Sequence, residues 1–320
     1  MGSFWKENPS TPTWLGTIES WYNSHPSKLI ELNSPIQKIN LPQGFALRHA
    51  TPEDIDQLPE FWSRFFSPPQ SSSTRCIVPL LHIRNMVSKG VWTLLVIVKL
   101  GYNSSEVIGS LVRRWIKGLH MGEVTWQKAG MIDYFCIHPA YRKKGIGRTL
   151  LSCMHNITER PIPPHLMLLE GIQVSIPPIS ADLYLSIQTA GQTAGQTAGR
   201  ITEVAEEDRQ RIWKLCVKGN VWSEYEGNET KIWKTASGYV AIWNTFHYSI
   251  PGGLRIGQIV GYTGEAFQDA ARTVEHGYGI LLMSGLSCLR EEGWKIDSPY
   301  QIIAYNTQSR FLGGFPGFCF

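Results

Sequence analysis

The chain has 320 residues, 42% hydrophobic and 11% aromatic, enough to bury one large core or two of ordinary size. Lys plus Arg is 30 against 26 for Asp plus Glu, and the mild net charge of +4 is spread along the chain, which disfavours nucleic acid as a partner. No apolar run nears the roughly 20 residues that cross a bilayer, and no secretory leader pattern opens the chain, so the expected location is cytoplasmic.

The six cysteines (Cys76, Cys136, Cys153, Cys216, Cys288, Cys319) form no CxxC pair and no zinc spacing. They sit in apolar runs as reduced core thiols do, and no metal is expected. Gly2 does not make the chain a myristoylation substrate, because the motif wants Ser or Thr where Lys6 stands.

Residues 9–42 are rich in Pro, Ser and Asn, so 1–44 reads as an arm over a folded body. Residues 45–49 read as a strand. Thr51-Pro52-Glu53-Asp54 then opens a helix, with Thr51 capping and Ile55, Leu58, Phe61 and Trp62 at helical spacing. Residues 92–100 and 107–116 form a hairpin around 101–105; Arg113, Arg114 and Lys117 could meet a phosphate, but more often such a cluster is a solvated strand end. Residues 131–137 are apolar on both faces except at Asp133, as in a central buried strand. Leu150, Leu151, Met154 and Ile157 give a helix face, and 166–169 another strand.

From Gln188 to Gly199 the tetrad Gln-Thr-Ala-Gly occurs three times, too small to bury a core, so 188–199 is a flexible linker between 45–187 and 200–320. The opening pattern then recurs: residues 47–54 overlay 201–208, and Leu58 falls on Ile212, a weak sign of duplication.

The segment 131–151 carries the chemistry. A strand leads into Arg142-Lys-Lys-Gly145-Ile-Gly147 and a helix opens at once. Gly145 and Gly147 let backbone amides approach a ligand at a helix N-terminus, where anions are favoured, and Arg142, Lys143 and Lys144 add charge. The predicted ligand is a pyrophosphate.

This segment resembles the coenzyme A loop of the GCN5-related acetyltransferases. The wider chain resembles N-myristoyltransferases: Ser3-Phe4-Trp5 with Pro9, then 41–45, then Phe135-Cys136-Ile137-His138, then 174–184, 197–199, 282–293 and 306–317, in that order. The resemblance implies an α/β fold of two tandem acetyltransferase-like halves, each a mixed sheet flanked by helices. It implies acyl-CoA, as myristoyl-CoA or acetyl-CoA, bound by the first half under the 1–44 arm, with the second half forming the groove for a peptide or protein N-terminus. Phe4, Trp5, Cys136, Ile137, Lys143, Gly145, Ile146 and Gly147 would line the donor site, and the backbone amides of Tyr134 and Phe135 would form the oxyanion hole.

Three departures from that family stand out. Its acidic loop corresponds to Ser67-Pro68-Pro69-Gln70, which has no carboxylate; the Arg142–Gly147 loop carries more glycine than the family's and is nearer to ordinary acetyltransferases, which bears on acyl length; and the family's terminal carboxylate base lies beyond the point corresponding to Phe320. Asp133 could be a base with a raised pKa or a hydrogen-bonded strand residue. Tyr184 could protonate the leaving thiolate or simply pack. His138, before Pro139, reads as a turn-forming cap more readily than a base. The expected function is transfer of a fatty acyl group, myristoyl first, from acyl-CoA to an N-terminal glycine amine. The alternatives are acetylation of a small amine or lysine, and binding of acyl-CoA or acyl-peptide without turnover.

Overall fold

A computed structural model of the protein describes residues 28–29, 41–66, 74–121, 124–156, 165–170, 179–187, 201–217, 222–225, 229–250, 252–273, 275–285, 294–305 and 307–308. The expected linker 188–199, most of the 1–44 arm with Phe4 and Trp5, and the 67–70 loop lie outside them. A two-residue strand β1 (Lys28–Leu29) pairs with a late partner, and regular structure then begins at β2 (Phe45–His49). Thr51 caps α1 (Pro52–Phe65) as its sequence dictates: its hydroxyl accepts from the Asp54 amide, and the Asp54 carboxylate accepts from the Thr51 amide.

The run continues through β3 (Thr74–Cys76), α2 (Leu80–Ser88), β4 (Trp92–Leu100), β5 (Ser105–Met121), β6 (Val124–Ile137), α3 (Ile146–Asn156), β7 (His165–Glu170) and β8 (Ile179–Ile187). The order then repeats with β9 (Thr202–Glu203), α4 (Glu206–Cys216), β10 (Trp222–Tyr225), β11 (Thr230–Lys234), β12 (Tyr239–Ser249), β13 (Arg255–Tyr262), α5 (Ala266–Ala271), β14 (Ile280–Gly285) and β15 (Lys295–Tyr305). A last short strand, β16 (Thr307–Gln308), is the partner of β1. The overlay of 47–54 on 201–208 thus marks two equivalent openings, with Leu58 and Ile212 buried at matching helix positions. Ala205, in the place of Thr51, supplies no side-chain cap.

Apart from the β1–β16 pair, the described strands form one 14-stranded mixed sheet in which the two halves exchange elements. β6 pairs parallel with β7, and β13 parallel with β14, while the remaining pairs are antiparallel. β8 leaves the first half to pair with β14, and β15 returns from the second half to pair with β7, the two meeting at the centre. Likewise β3 joins β12 of the second half and β10 joins β5 of the first. The halves are therefore bonded through backbone ladders rather than merely docked.

Both faces of β4 are covered, which explains its unbroken apolar run. Leu94, Val96 and Val98 meet Leu58, Phe61 and Trp62 of α1, while Leu95 and Ile97 meet Ile146, Leu150, Cys153 and Met154 of α3. The expected hairpin is present, but its end differs from expectation: Arg113 and Arg114 are only 4% and 2% exposed. They are buried because β6 supplies a carboxylate and neighbouring strands supply aromatic faces. Arg113 lies 4.0 Å over Trp115 and donates to Thr93 Oγ1 at 3.0 Å.

Asp54 anchors the start of the first half, since Arg48 donates to both of its oxygens, at 2.8 and 2.9 Å, where the carboxylate is fully buried. Burial raises its pKa, but the bonds from Arg48 and Thr51 outweigh that and hold it below the ordinary carboxylate value. A depressed folded pKa means stability that is present above the unfolded value, about 3.9, and lost as pH falls through the folded one. Asp54→Asn is expected to destabilise the protein by about 2 kcal/mol at pH 7 in urea titrations. The difference from the native chain should shrink in acid.

Candidate functional site

The site is built around an irregularity in β6. Along β5 and β6, Ser110 faces Cys136 and Val112 faces Asp133, so one extra residue is accommodated on β6, a bulge at Tyr134 and Phe135. Tyr134 takes φ 45°, a left-handed conformation that a bulky side chain adopts only under constraint. Three bonds impose it. The Tyr134 amide donates to Asp133 Oδ1 at 2.7 Å, and Ser110 Oγ donates to the Tyr134 carbonyl at 3.0 Å. Trp62 Nε1 in turn donates to that hydroxyl at 2.8 Å. The Tyr134 ring is buried, stacked 4.4 Å from Trp62.

Asp133 is fixed by Arg114, whose guanidinium binds Oδ2. Arg114 also lies 5.4, 5.2 and 4.8 Å from the rings of Trp92, Tyr134 and Trp243, the last from β12. Both Asp133 oxygens are therefore engaged. Asp133 is a hydrogen-bonded, ion-paired strand residue here, because burial of Arg114 demands a counter-charge.

β6 pairs with β7 at Gly130 and Met131, and among the described residues its edge has no strand partner on that side from Asp133 onward. Phe135, expected to be buried, is instead 36% exposed beside this opening. Cys136 stays buried, and burial pushes its thiol up to about 12, so it is not a nucleophile. His138 accepts from the Ala140 amide at 3.2 Å and packs 4.4 Å from Phe65, a turn-forming cap as expected.

The glycine loop follows at the same end of β6. Lys143 has φ 61° and Gly145 φ 80°, which turns the chain into α3. The first intrahelical bond runs from the Thr149 amide to the Gly145 carbonyl at 3.1 Å. The amides of Ile146 and Gly147 precede it, and a helix leaves such amides to a ligand or water. Gly147 allows α3 to close on β6, because a methyl group there would sit 2.9 Å from Phe135 Cζ. Arg142 is used structurally: Nε donates to the Ile137 carbonyl at 2.9 Å and Nη2 to the Phe65 carbonyl at 3.1 Å. Lys143, Lys144 and Arg148 remain exposed around the helix start.

The equivalent crossover of the second half, between β13 and α5, has Gly264 at φ 55° but Glu265 at the helix start and no basic residue from 263 to 266. The two crossovers thus occupy equivalent places in chain order, but the second is shorter, three residues against eight, and lacks the lysines. Tyr184 lies on β8 opposite Met283 and Ile296, and its side chain lies outside the described set. Phe4 and Trp5 lie outside the described residues altogether.

No protein-family model matches the chain, and no curated protein matches it by sequence. Solved structures do. The Saccharomyces cerevisiae N-myristoyltransferase with bound myristoyl-CoA aligns at TM-score 0.72 and 10% identity, covering 98% of this chain and 94% of that one. The same enzyme with myristoyl-CoA and inhibitors aligns at TM-score 0.69 and 9% identity, covering 98% and 91%. The chain has the N-myristoyltransferase fold. The resemblance carried by 131–151 and the scattered later segments therefore holds for the architecture of nearly the whole chain.

Sequence reading missed Arg114 and His247. A signal for Arg114 existed: Arg113-Arg114 and Asp133 are charges in otherwise apolar strands that one hairpin brings side by side. His247 had none, because its setting depends on a register shift between Asn244 and His247 in β12, with Phe246 at φ 57°. Arg114→Leu should cost about 3–5 kcal/mol in chemical denaturation, since it strands a buried carboxylate. Arg114→Leu combined with Asp133→Asn should recover part of that loss.

Proposed function

We propose that the chain is an N-acyltransferase that moves a fatty acyl group, myristoyl in preference to acetyl, from coenzyme A to the N-terminal glycine amine of a peptide or protein. The observation that carries this reading is the juxtaposition, at one end of β6, of a basic glycine loop opening α3 and a strained bulge where β6 parts from β7. The amides of Ile146 and Gly147 with Lys143 and Lys144 hold the pyrophosphate, and Ile137 and Phe135 border the pantetheine and thioester. The Tyr134 amide already donates to Asp133, so the oxyanion role falls to the Phe135 amide, with Tyr134 setting its direction. Asp133, tied to Arg114, is not the base in this reading.

In the same reading 45–187 is the donor half and 200–320 the acceptor half, joined by 188–199, with Phe4 and Trp5 of the 1–44 arm covering the donor. The second crossover, with Glu265 in place of the lysines, suits a cationic acceptor better than a phosphate. A cytoplasmic setting accords with Cys76, Cys136, Cys153 and Cys216 being buried free thiols.

Gly145→Asp tests the donor site, with Gly145→Asn as its uncharged control. Nothing lies within 4 Å of an added Cβ there, but φ 80° strains any side chain, Asp and Asn least, so both variants should lose about 1 kcal/mol of stability. Calorimetric titration below both thermal midpoints should show affinity for myristoyl-CoA falling at least about tenfold more for Asp, whose carboxylate repels phosphate at the helix start, than for Asn. In the native chain myristoyl-CoA should bind more tightly than acetyl-CoA, by about 0.8 kcal/mol for each methylene buried. Equal affinities would instead support an acetyl donor.

A further inference from the structure

Acyl transfer to an amine needs a group that takes a proton from the incoming ammonium, and the carboxylate nearest the bulge is bound to Arg114. We propose that His247, on β12 of the second half, is that proton acceptor; this rests on the N-acyl-transfer reading above. Its Nδ1 lies 2.9 Å from the Thr245 carbonyl, which can only accept, so Nδ1 carries the hydrogen and Nε2 presents its lone pair. Among the described residues Nε2 has no hydrogen-bond partner, and the ring is half-buried rather than sealed. Two other buried or half-buried histidines are committed elsewhere. His276 uses both nitrogens, on the Ala270 carbonyl and the Tyr278 amide, while His82 Nε2 lies 2.5 Å from Glu229 Oε1.

The β12 irregularity brings His247 to the junction of the halves. It sits opposite Cys76 of β3, and its ring lies 6.0 Å from Phe66, which in turn lies 5.5 Å from Tyr134. The groups facing it are Asp133 from β6, Arg114 from β5 and Cys76 from β3, with His82 from α2 behind the adjoining Phe246. Burial is the largest influence and lowers the imidazole's pKa, and Arg114 lowers it further. The bond to the Thr245 carbonyl and Asp133 oppose this without reversing it, so the ring is neutral at pH 7. In the step, Nε2 takes one proton from the acceptor ammonium and the freed amine attacks the thioester carbonyl. The C–N bond forms, the C–S bond breaks, and the second amine proton leaves with the coenzyme A thiolate. The proton on His247 then returns to solvent.

The test compares steady-state transfer from myristoyl-CoA to a short glycine-initiated peptide for the native chain, His247→Gln and His247→Asn, from about pH 4.5 to about pH 9. In a variant that keeps the native thermal midpoint, kcat should fall about 100-fold at pH 7 with unchanged affinity for myristoyl-CoA. The deficit should shrink above about pH 8, where the acceptor amine sheds its own proton. The native kcat profile should itself show an ascending limb lying below the amine's, and its absence overturns the inference. A folded variant with native kcat at pH 7 overturns it too, while leaving acyl transfer standing. A native chain that transfers nothing to the peptide overturns both.

Discussion

The buried pair of Arg114 and Asp133 is the constraint on which the rest of the site depends. Two charges taken out of water lose several kcal/mol of hydration each, and they are retained only where geometry and further bonds offset that loss. Here Arg114 has the faces of Trp92, Tyr134 and Trp243 around it, and Asp133 has a second donor in the Tyr134 amide. That second bond is the consequential one. It holds Tyr134 in a conformation that costs roughly 1–3 kcal/mol, and so places an extra residue in β6 where β6 leaves β7.

The same pair connects the halves. Arg114 is on β5 of the first half and Trp243 on β12 of the second, and exchanged strands bind both halves into one sheet. Such a frame supplies two strand-loop-helix crossovers at equivalent places in chain order, and they differ in length and charge. Lys143 and Lys144 stand at the first, Glu265 at the second. In the proposed function, that difference lets an anionic donor and a cationic acceptor avoid competing for the same loop.

Much of this was legible in the sequence where the signal is local. The Thr51–Asp54 capping box, the hairpin from Trp92, the glycine loop into α3 and the His138 cap depend on residues a few positions apart, and each stands where it was expected. What could not be read depends on distant partners. Arg113 and Arg114 looked solvated because their counter-charge and aromatic neighbours lie on other strands. Phe135 looked buried because the parting of β6 from β7 leaves no mark in a run of apolar residues. The exchange of β8 and β15 between halves is likewise invisible to periodicity, which marks a strand and not its neighbour.

The most direct test is the crystal structure of the protein with myristoyl-CoA bound. The pyrophosphate is expected on the amides of Ile146 and Gly147, and the thioester carbonyl on the amide of Phe135, with Asp133 still bound to Arg114. A pyrophosphate seated at the second crossover, or a thioester remote from Phe135, would contradict the division of labour between the two halves.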